Sequence, residues 1–158
     1  MANTYRQLYI HLVFSVKHRE ALIRKDWKDE LEKYIGGIIT NQTHKLLAIG
    51  AMPDHIHIFI GYNPTSLIPD LVEEIKTSSN DWIKLRKFSR FKFDWQKGYG
   101  AFSHSHSQLD TVIKYILNQE KHHKKRSFKK EYIEMLINYE VRYEDKYLFD
   151  FFDEVGTW

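Results

Sequence analysis

Two apolar runs meet at a single proline. Residues 44–52 read HKLLAIGAM, residues 54–62 read DHIHIFIGY, and Pro53 separates them. Runs of this length, rich in Ile and Leu and broken this briefly, are consistent with adjacent antiparallel strands. In a strand alternate side chains share a face, so Ile56, Ile58 and Ile60 point to the core while His55 and His57 point together the other way. By the same parity Asp54 points away from the two imidazoles and is not counted with them. Two imidazoles side by side are half of a metal site. The plain alternative is two polar residues on a solvated strand face.

The rest of the chain fits elements around that pair. Residues 5–16 read as a strand, and residues 24–41 as an amphipathic helix with Trp27, Leu31, Tyr34, Ile35 and Ile38 on one face. Gly36 and Gly37 weaken its second half. Residues 66–87 read as a second helix with a polar capping start and Leu67, Leu71, Ile75 and Trp82 along it. A short strand over 99–103, a third helix over 108–124 and a short fourth over 128–137 complete the series. Strand, helix, strand, strand, helix, strand, helix is a split βαβ order. It predicts an α+β, ferredoxin-like (RRM- or palm-like) antiparallel sheet with helices on one face, and a C-terminal helix carrying a tyrosine. With no repeat or low-complexity linker, one domain over 1–158 is expected, its core about 1–125 and 126–158 a basic-to-acidic extension.

Composition narrows the chemistry. The 158 residues include no cysteine, which excludes a disulfide scaffold, a thiolate zinc site and a Cys nucleophile. No apolar run approaches the roughly eighteen residues needed to cross a bilayer, and the N-terminus lacks a signal-peptide core, so a cytoplasmic protein without membrane partners is expected. The net charge of +3 is unevenly spread. Residues 1–80 are neutral, residues 81–130 carry thirteen Lys/Arg against four Asp/Glu, and residues 131–158 carry two against eight. A local excess of that size marks a surface that meets phosphates, or else a solvated Lys-rich helix.

The third helix offers the other chemical feature. At about 100° per residue, Leu109, Ile113, Ile116 and Leu117 fall on one side, while Tyr115 and Gln119 stack at i and i+4 on the other. Such a tyrosine is open to solvent or substrate. His55, His57 and the Gln119 amide oxygen could together hold a divalent cation, with Tyr115 one helical turn away as a nucleophile toward a phosphate. A phenol with a pKa of about 10 needs help to attack, and no general base stands out. His104 and His106 share the two-residue spacing but sit among serines and read as loop histidines, and His11 as a hydrogen-bonded strand residue.

Several segments resemble one family in order: YIHLVF at 9–14 with Lys17 and Arg19, MPDHIH at 52–57, KTSS at 76–79, WQKGYGAFS at 95–103 and YILNQEKHH at 115–123. Together they resemble the single-tyrosine HUH transposases of small bacterial insertion sequences, including the tyrosine transposases associated with repetitive extragenic palindromes. Departures are His104, where an apolar residue is more usual, and an acidic aromatic tail. The resemblance implies that His55, His57 and Gln119 bind Mg²⁺ or Mn²⁺ and that Tyr115 attacks a single-stranded DNA phosphate. The product would be a 5′-phosphotyrosine intermediate and a free 3′-hydroxyl. Imidazole ligation favours Mn²⁺ over Mg²⁺.

The resemblance further implies a homodimer, in which the tyrosine helix can serve the partner's site, and DNA partners that fold into imperfect hairpins. The basic block would then grip phosphates through Lys84, Arg86, Lys87, Arg90 and Lys92, and through Lys121, His122, His123, Lys124, Lys125 and Arg126. Trp82, Phe88, Phe91, Phe93 and Trp95 are candidates for base stacking or for core. Two other readings stay open: a non-catalytic, domesticated hairpin-binding protein on the same fold, and a small metallohydrolase in which water attacks.

Overall fold

A computed structural model describes residues 3–152 and 158. Four strands form one antiparallel sheet in the order β2-β3-β1-β4: β1 is Tyr9–Ser15, β2 Lys45–Ala51, β3 His55–Gly61 and β4 Gly100–His104. The hairpin across Pro53 forms as expected, with Gly50 opposite His57 and Ala51 opposite Ile56. β1 lies on the other side of β3, placing Val13 opposite His57 and Ser15 opposite His55. This is the α+β, ferredoxin-like architecture that the order of elements predicts.

Helices α1 (Lys25–Asn41) and α2 (Ile68–Arg86) cover one face. Trp27, Leu31, Ile35 and Ile39 of α1 and Leu71, Val72, Ile75 and Ile83 of α2 bury against Leu12, Phe14, Ile56, Ile58 and Ile60. Ile39, not the half-buried Ile38, completes the α1 stripe. The helix runs through Gly36 and Gly37 unbroken; a Cβ on Gly36 would lie 3.1 Å from Leu46 Cδ2, so the missing side chain lets α1 lie close to β2. α2 starts at Leu67 without a side-chain cap, and Leu67 itself is exposed.

The opposite face is not open. α3 (Leu109–Leu117) lies over β2 and β3, where Val112 and Ile116 pack on Ala48 and Phe59. Gly50 permits this, because a Cβ there would meet the Ile116 carbonyl oxygen at 2.7 Å. The expected helix over 108–124 is two helices. Asn118 leaves the helical conformation (φ −103°, ψ 23°), and α4 is only Gln119–His123. Leu117, placed on the apolar stripe by periodicity, is 64% exposed beside this break.

α5 (Phe128–Asn138) then turns back with Ser127 as its N-cap, accepting from the Lys130 backbone N–H at 3.2 Å. Phe128, Tyr132 and Leu136 join the main core; Phe149 stacks on Phe128 and Phe151 meets it edge-on. The Gln96 amide clamps this last segment, donating to Asp150 O at 2.8 Å and accepting from Asp150 N at 2.7 Å. Lys76 fixes the loop before β4 by donating to Gln96 O and Gly98 O, and burial lowers its pKa to about 8 despite Asp94 nearby.

Candidate active site

The two strand histidines are fully buried beneath α3, α4 and α5. His57 Nδ1 pairs with His11 Nε2 at 2.8 Å, so His11 is the hydrogen-bonded strand residue it was expected to be. His55 Nδ1 pairs with Asp54 Oδ1 at 2.7 Å. Asp54 therefore reaches the histidine that strand parity had turned it away from. It precedes the first residue of β3, where alternation no longer binds it. Phe128 stacks flat on the His55 ring, centroids 3.9 Å apart at 7°. Each imidazole thus has its Nδ1 engaged and its Nε2 directed inward.

Glu131 of α5 meets those inward nitrogens. Its Oε1 lies 3.0 Å from His57 Nε2, 3.3 Å from His123 Nε2 and 3.5 Å from His55 Nε2. Its Oε2 accepts a hydrogen bond from the Tyr115 hydroxyl. His123 Nε2 is also 2.9 Å from Gln119 Oε1, and Gln119 Nε2 donates to Tyr115 O. Tyr115 is half-buried and tied to its neighbours, not free in solvent as helical phase had placed it. Arg126 Nη2 also donates to its hydroxyl at 3.0 Å, and His122 stacks obliquely on its ring.

The charges balance around one buried carboxylate. Burial alone would raise the Glu131 pKa, but His57, His123 and His55 hold it well below the usual carboxylate range. Burial lowers His57 and, further, His11. At His55 burial is outweighed by Asp54 and then Glu131, and the pKa rises to about 9. Burial and the Glu131 carboxylate push the Tyr115 hydroxyl up, against the Arg126 guanidinium.

His55, His57, His123 and Glu131 form a possible metal site, their donor atoms all within 4.8 Å of one another. The residues fit a divalent cation on their own chemistry. Among the described residues His55 Nε2 is buried without a hydrogen-bond partner, and a carboxylate sits beside imidazoles whose far nitrogens are already fixed. Glu131 was not found from sequence. Its signal was present: it falls three residues after Phe128 and before Tyr132, a charge inside the apolar stripe of α5.

The basic block does not form one patch. Lys84, Arg86 and Lys87 end α2, whereas Lys121 to Arg126 belong to α4 and its turn, over the opposite sheet face. Arg86 is paired with Glu30 at 3.2 Å and lies over Phe88. Lys84, Lys87, Arg90 and Lys92 border a hollow of about 590 Å³ whose aromatic Phe91 is 50% exposed. Of the other four aromatics, Phe93 and Trp95 are core residues, and Trp82 and Phe88 pack against it. In the second group Lys121, Lys124 and Lys125 are exposed, while His123 and Arg126 turn inward, a correction to their expected place on the surface.

The sequence pattern of the family described as "Transposase IS200 like" matches residues 4–119, nearly three-quarters of the chain. The chain belongs to the IS200-like transposase family. Among similar proteins, the ISDra2 transposase TnpA of Deinococcus radiodurans is 30% identical over 73 residues, 46% of this chain and 52% of that protein. The chain thus matches about half the length of this curated relative. A crystal structure described as that of a transposase from Deinococcus radiodurans superposes with a TM-score of 0.59 at 24% identity, over 75% of this chain and 95% of that one. A REP-associated tyrosine transposase bound to a REP hairpin gives 0.58 at 14% identity, over 99% and 97%. These two share the fold, and the second match spans nearly the whole chain. Arg126, Phe128 and Glu131 all lie beyond the stretch that the IS200-like family pattern covers.

Proposed function

We propose that this IS200-like transposase cleaves and rejoins single-stranded DNA at hairpin-bearing ends, with Tyr115 as nucleophile. The observation that carries the reading is Glu131, whose one oxygen touches His57 and whose other touches the Tyr115 hydroxyl, so nucleophile and candidate metal site share a carboxylate. His55 and His57 would hold Mg²⁺ or Mn²⁺, with Mn²⁺ favoured by the imidazoles. The third donor would be Glu131 Oε1, in reach of both Nε2 atoms, ahead of Gln119 Oε1, which faces His123. The bound ion would supply polarisation of the scissile phosphate.

Asp54, Phe128 and His11 keep the two imidazoles turned inward, and α3 aims the tyrosine at the same point. Tyr115 Oη bonds to phosphorus, the bond to the 3′-oxygen breaks, and that oxygen leaves as a hydroxyl. Attack by a 3′-hydroxyl reverses the step, so the phosphotyrosine conserves the bond energy. Exposed Lys121, Lys124 and Lys125, with the Lys84–Lys92 hollow, grip backbone phosphates. Hairpin recognition is supported by the REP-hairpin complex of a protein with the same fold. We further propose a homodimer acting in the cytoplasm, with Tyr115 able to serve either subunit.

The test is incubation with labelled single strands of the DNA flanking the gene, with Mn²⁺, followed by denaturing electrophoresis. An adduct mapped to Tyr115, lost in Tyr115→Phe and in His55→Ala or His57→Ala, is expected; an adduct that survives Tyr115→Phe removes the tyrosine from the role. A second reading, hairpin binding without cleavage, is favoured by the carboxylate that fills the space among the histidines. Tight hairpin binding with no adduct at any Mn²⁺ concentration would select it.

A further inference from the structure

The Tyr115 hydroxyl has a second partner for which the chemistry above has no use. Arg126 Nη2 donates to it at 3.0 Å, and Nη1 donates to Glu134 Oε2. Lys124 and Lys125 just before it are exposed, yet the Arg126 side chain is only 28% exposed. The turn after α4 brings it back: Arg126 N donates to His122 O at 3.2 Å, and Arg126 O meets His123 Nδ1 at 3.1 Å. A guanidinium held at both ends over a phenol oxygen is not a freely solvated phosphate grip.

We infer that Arg126 is a catalytic residue that binds the phosphate becoming attached to Tyr115, with Glu134 as its positioning residue. The inference rests on Tyr115 being the nucleophile. In the attack Tyr115 Oη forms a bond to phosphorus and gives up its proton along its hydrogen bond to Glu131 Oε2. The bond from phosphorus to the 3′-oxygen breaks with its electron pair on that oxygen, which takes up a proton. Tyr115 Oη becomes a bridging oxygen of the phosphotyrosine, so a guanidinium already hydrogen-bonded to it lies beside the non-bridging oxygens of the same phosphorus. Charge shifts among those oxygens in the transition state, where a donor fixed in advance contributes most. A planar fork can hold the bridging and a non-bridging oxygen together, which a lysine ammonium does not reproduce.

Adduct formation under single turnover, at saturating hairpin DNA with Mn²⁺, tests this. Arg126→Ala should slow it about 100-fold, the scale of one lost oxyanion donor, with hairpin affinity changed less than about threefold. Arg126→Lys should restore only part of the rate, and Glu134→Gln should cause a smaller loss of rate without loss of affinity. An unchanged rate in Arg126→Ala, or a loss confined to affinity, overturns the assignment. A second measurement needs no DNA cleavage. In Tyr115→Ala the vacated space should bind phenyl phosphate, and adding Arg126→Ala should weaken that binding at least about tenfold; undiminished binding overturns the proposal. Failure of the underlying reading looks different: an adduct in Tyr115→Phe, or none from the unaltered chain.

Discussion

Glu131→Gln keeps the shape of the side chain and removes its charge, which isolates what the buried carboxylate does. Without metal it faces three imidazole nitrogens at 3.0, 3.3 and 3.5 Å and accepts from Tyr115. Removing one partner from a buried charged network costs about 3–5 kcal/mol, because the remaining charge is stranded in low dielectric. Here two features moderate the loss. His55 keeps Asp54 at 2.7 Å, and burial already lowers the His57 pKa. The lower end, about 3 kcal/mol, is therefore expected. For a domain of this size that is a fall of roughly 6–12 °C in Tm. Thermal unfolding followed by circular dichroism, in chelator at neutral pH, measures it. A shift below about 2 °C would refute the view that the carboxylate is ionised and paired in the metal-free protein. The same variant decides the third donor. Mn²⁺ affinity, measured by calorimetry, should fall more in Glu131→Gln than in Gln119→Ala, and the reverse order would return Gln119 to the ligand set.

The raised His55 pKa gives a pH dependence of definite sign. In the metal-free protein its contribution is complete below 6.5, the unfolded value, and is lost as pH rises through about 9, because the folded state holds the proton longer. Urea unfolding across that window should show falling stability, and Asp54→Asn should flatten the slope; a slope unchanged in that variant would exclude the Asp54–His55 pair as its source. Gly50→Ala should cost about 1–3 kcal/mol, since its Cβ meets a backbone oxygen that cannot turn aside. Adduct formation should fall with it as α3 lifts from the sheet, and wild-type stability would show that the approach is looser. Gln96→Ala should release the segment around Asp150, seen as faster limited proteolysis after residue 145 with the core intact. An unchanged cleavage pattern would place the hold elsewhere, in Phe149 and Phe151.

What could be read from the chain follows from periodicity. Polar and apolar residues alternate over 55–58, so the shared face of His55 and His57 was visible, and so was the order of strands and helices along the chain. Helical phase also placed Tyr115 and Gln119 together, which holds although Asn118 breaks the helix between them. That break has neither proline nor glycine to announce it. The third dimension was out of reach. Glu131 is 74 residues from His57, and nothing local says that α5 folds back across the sheet face away from α1 and α2. The inward turn of His123 and Arg126 was hidden because Lys121 to Arg126 reads as uniformly basic, and charge counting cannot separate a solvated lysine from a buried pair.

The site is assembled from two lengths of chain: the strands and α3 fall inside the IS200-like pattern, whereas Arg126, Phe128 and Glu131 fall after it. Anyone grafting a new tail onto this core, to retarget it or to shorten it, would carry off half of the chemical centre with the graft. Cut after residue 125, the protein would lose the aromatic lid over His55 and the anion beside His57, and water would reach both rings. In an engineering sense the tail is no add-on: the segment that completes the core also sets the electrical state of the socket.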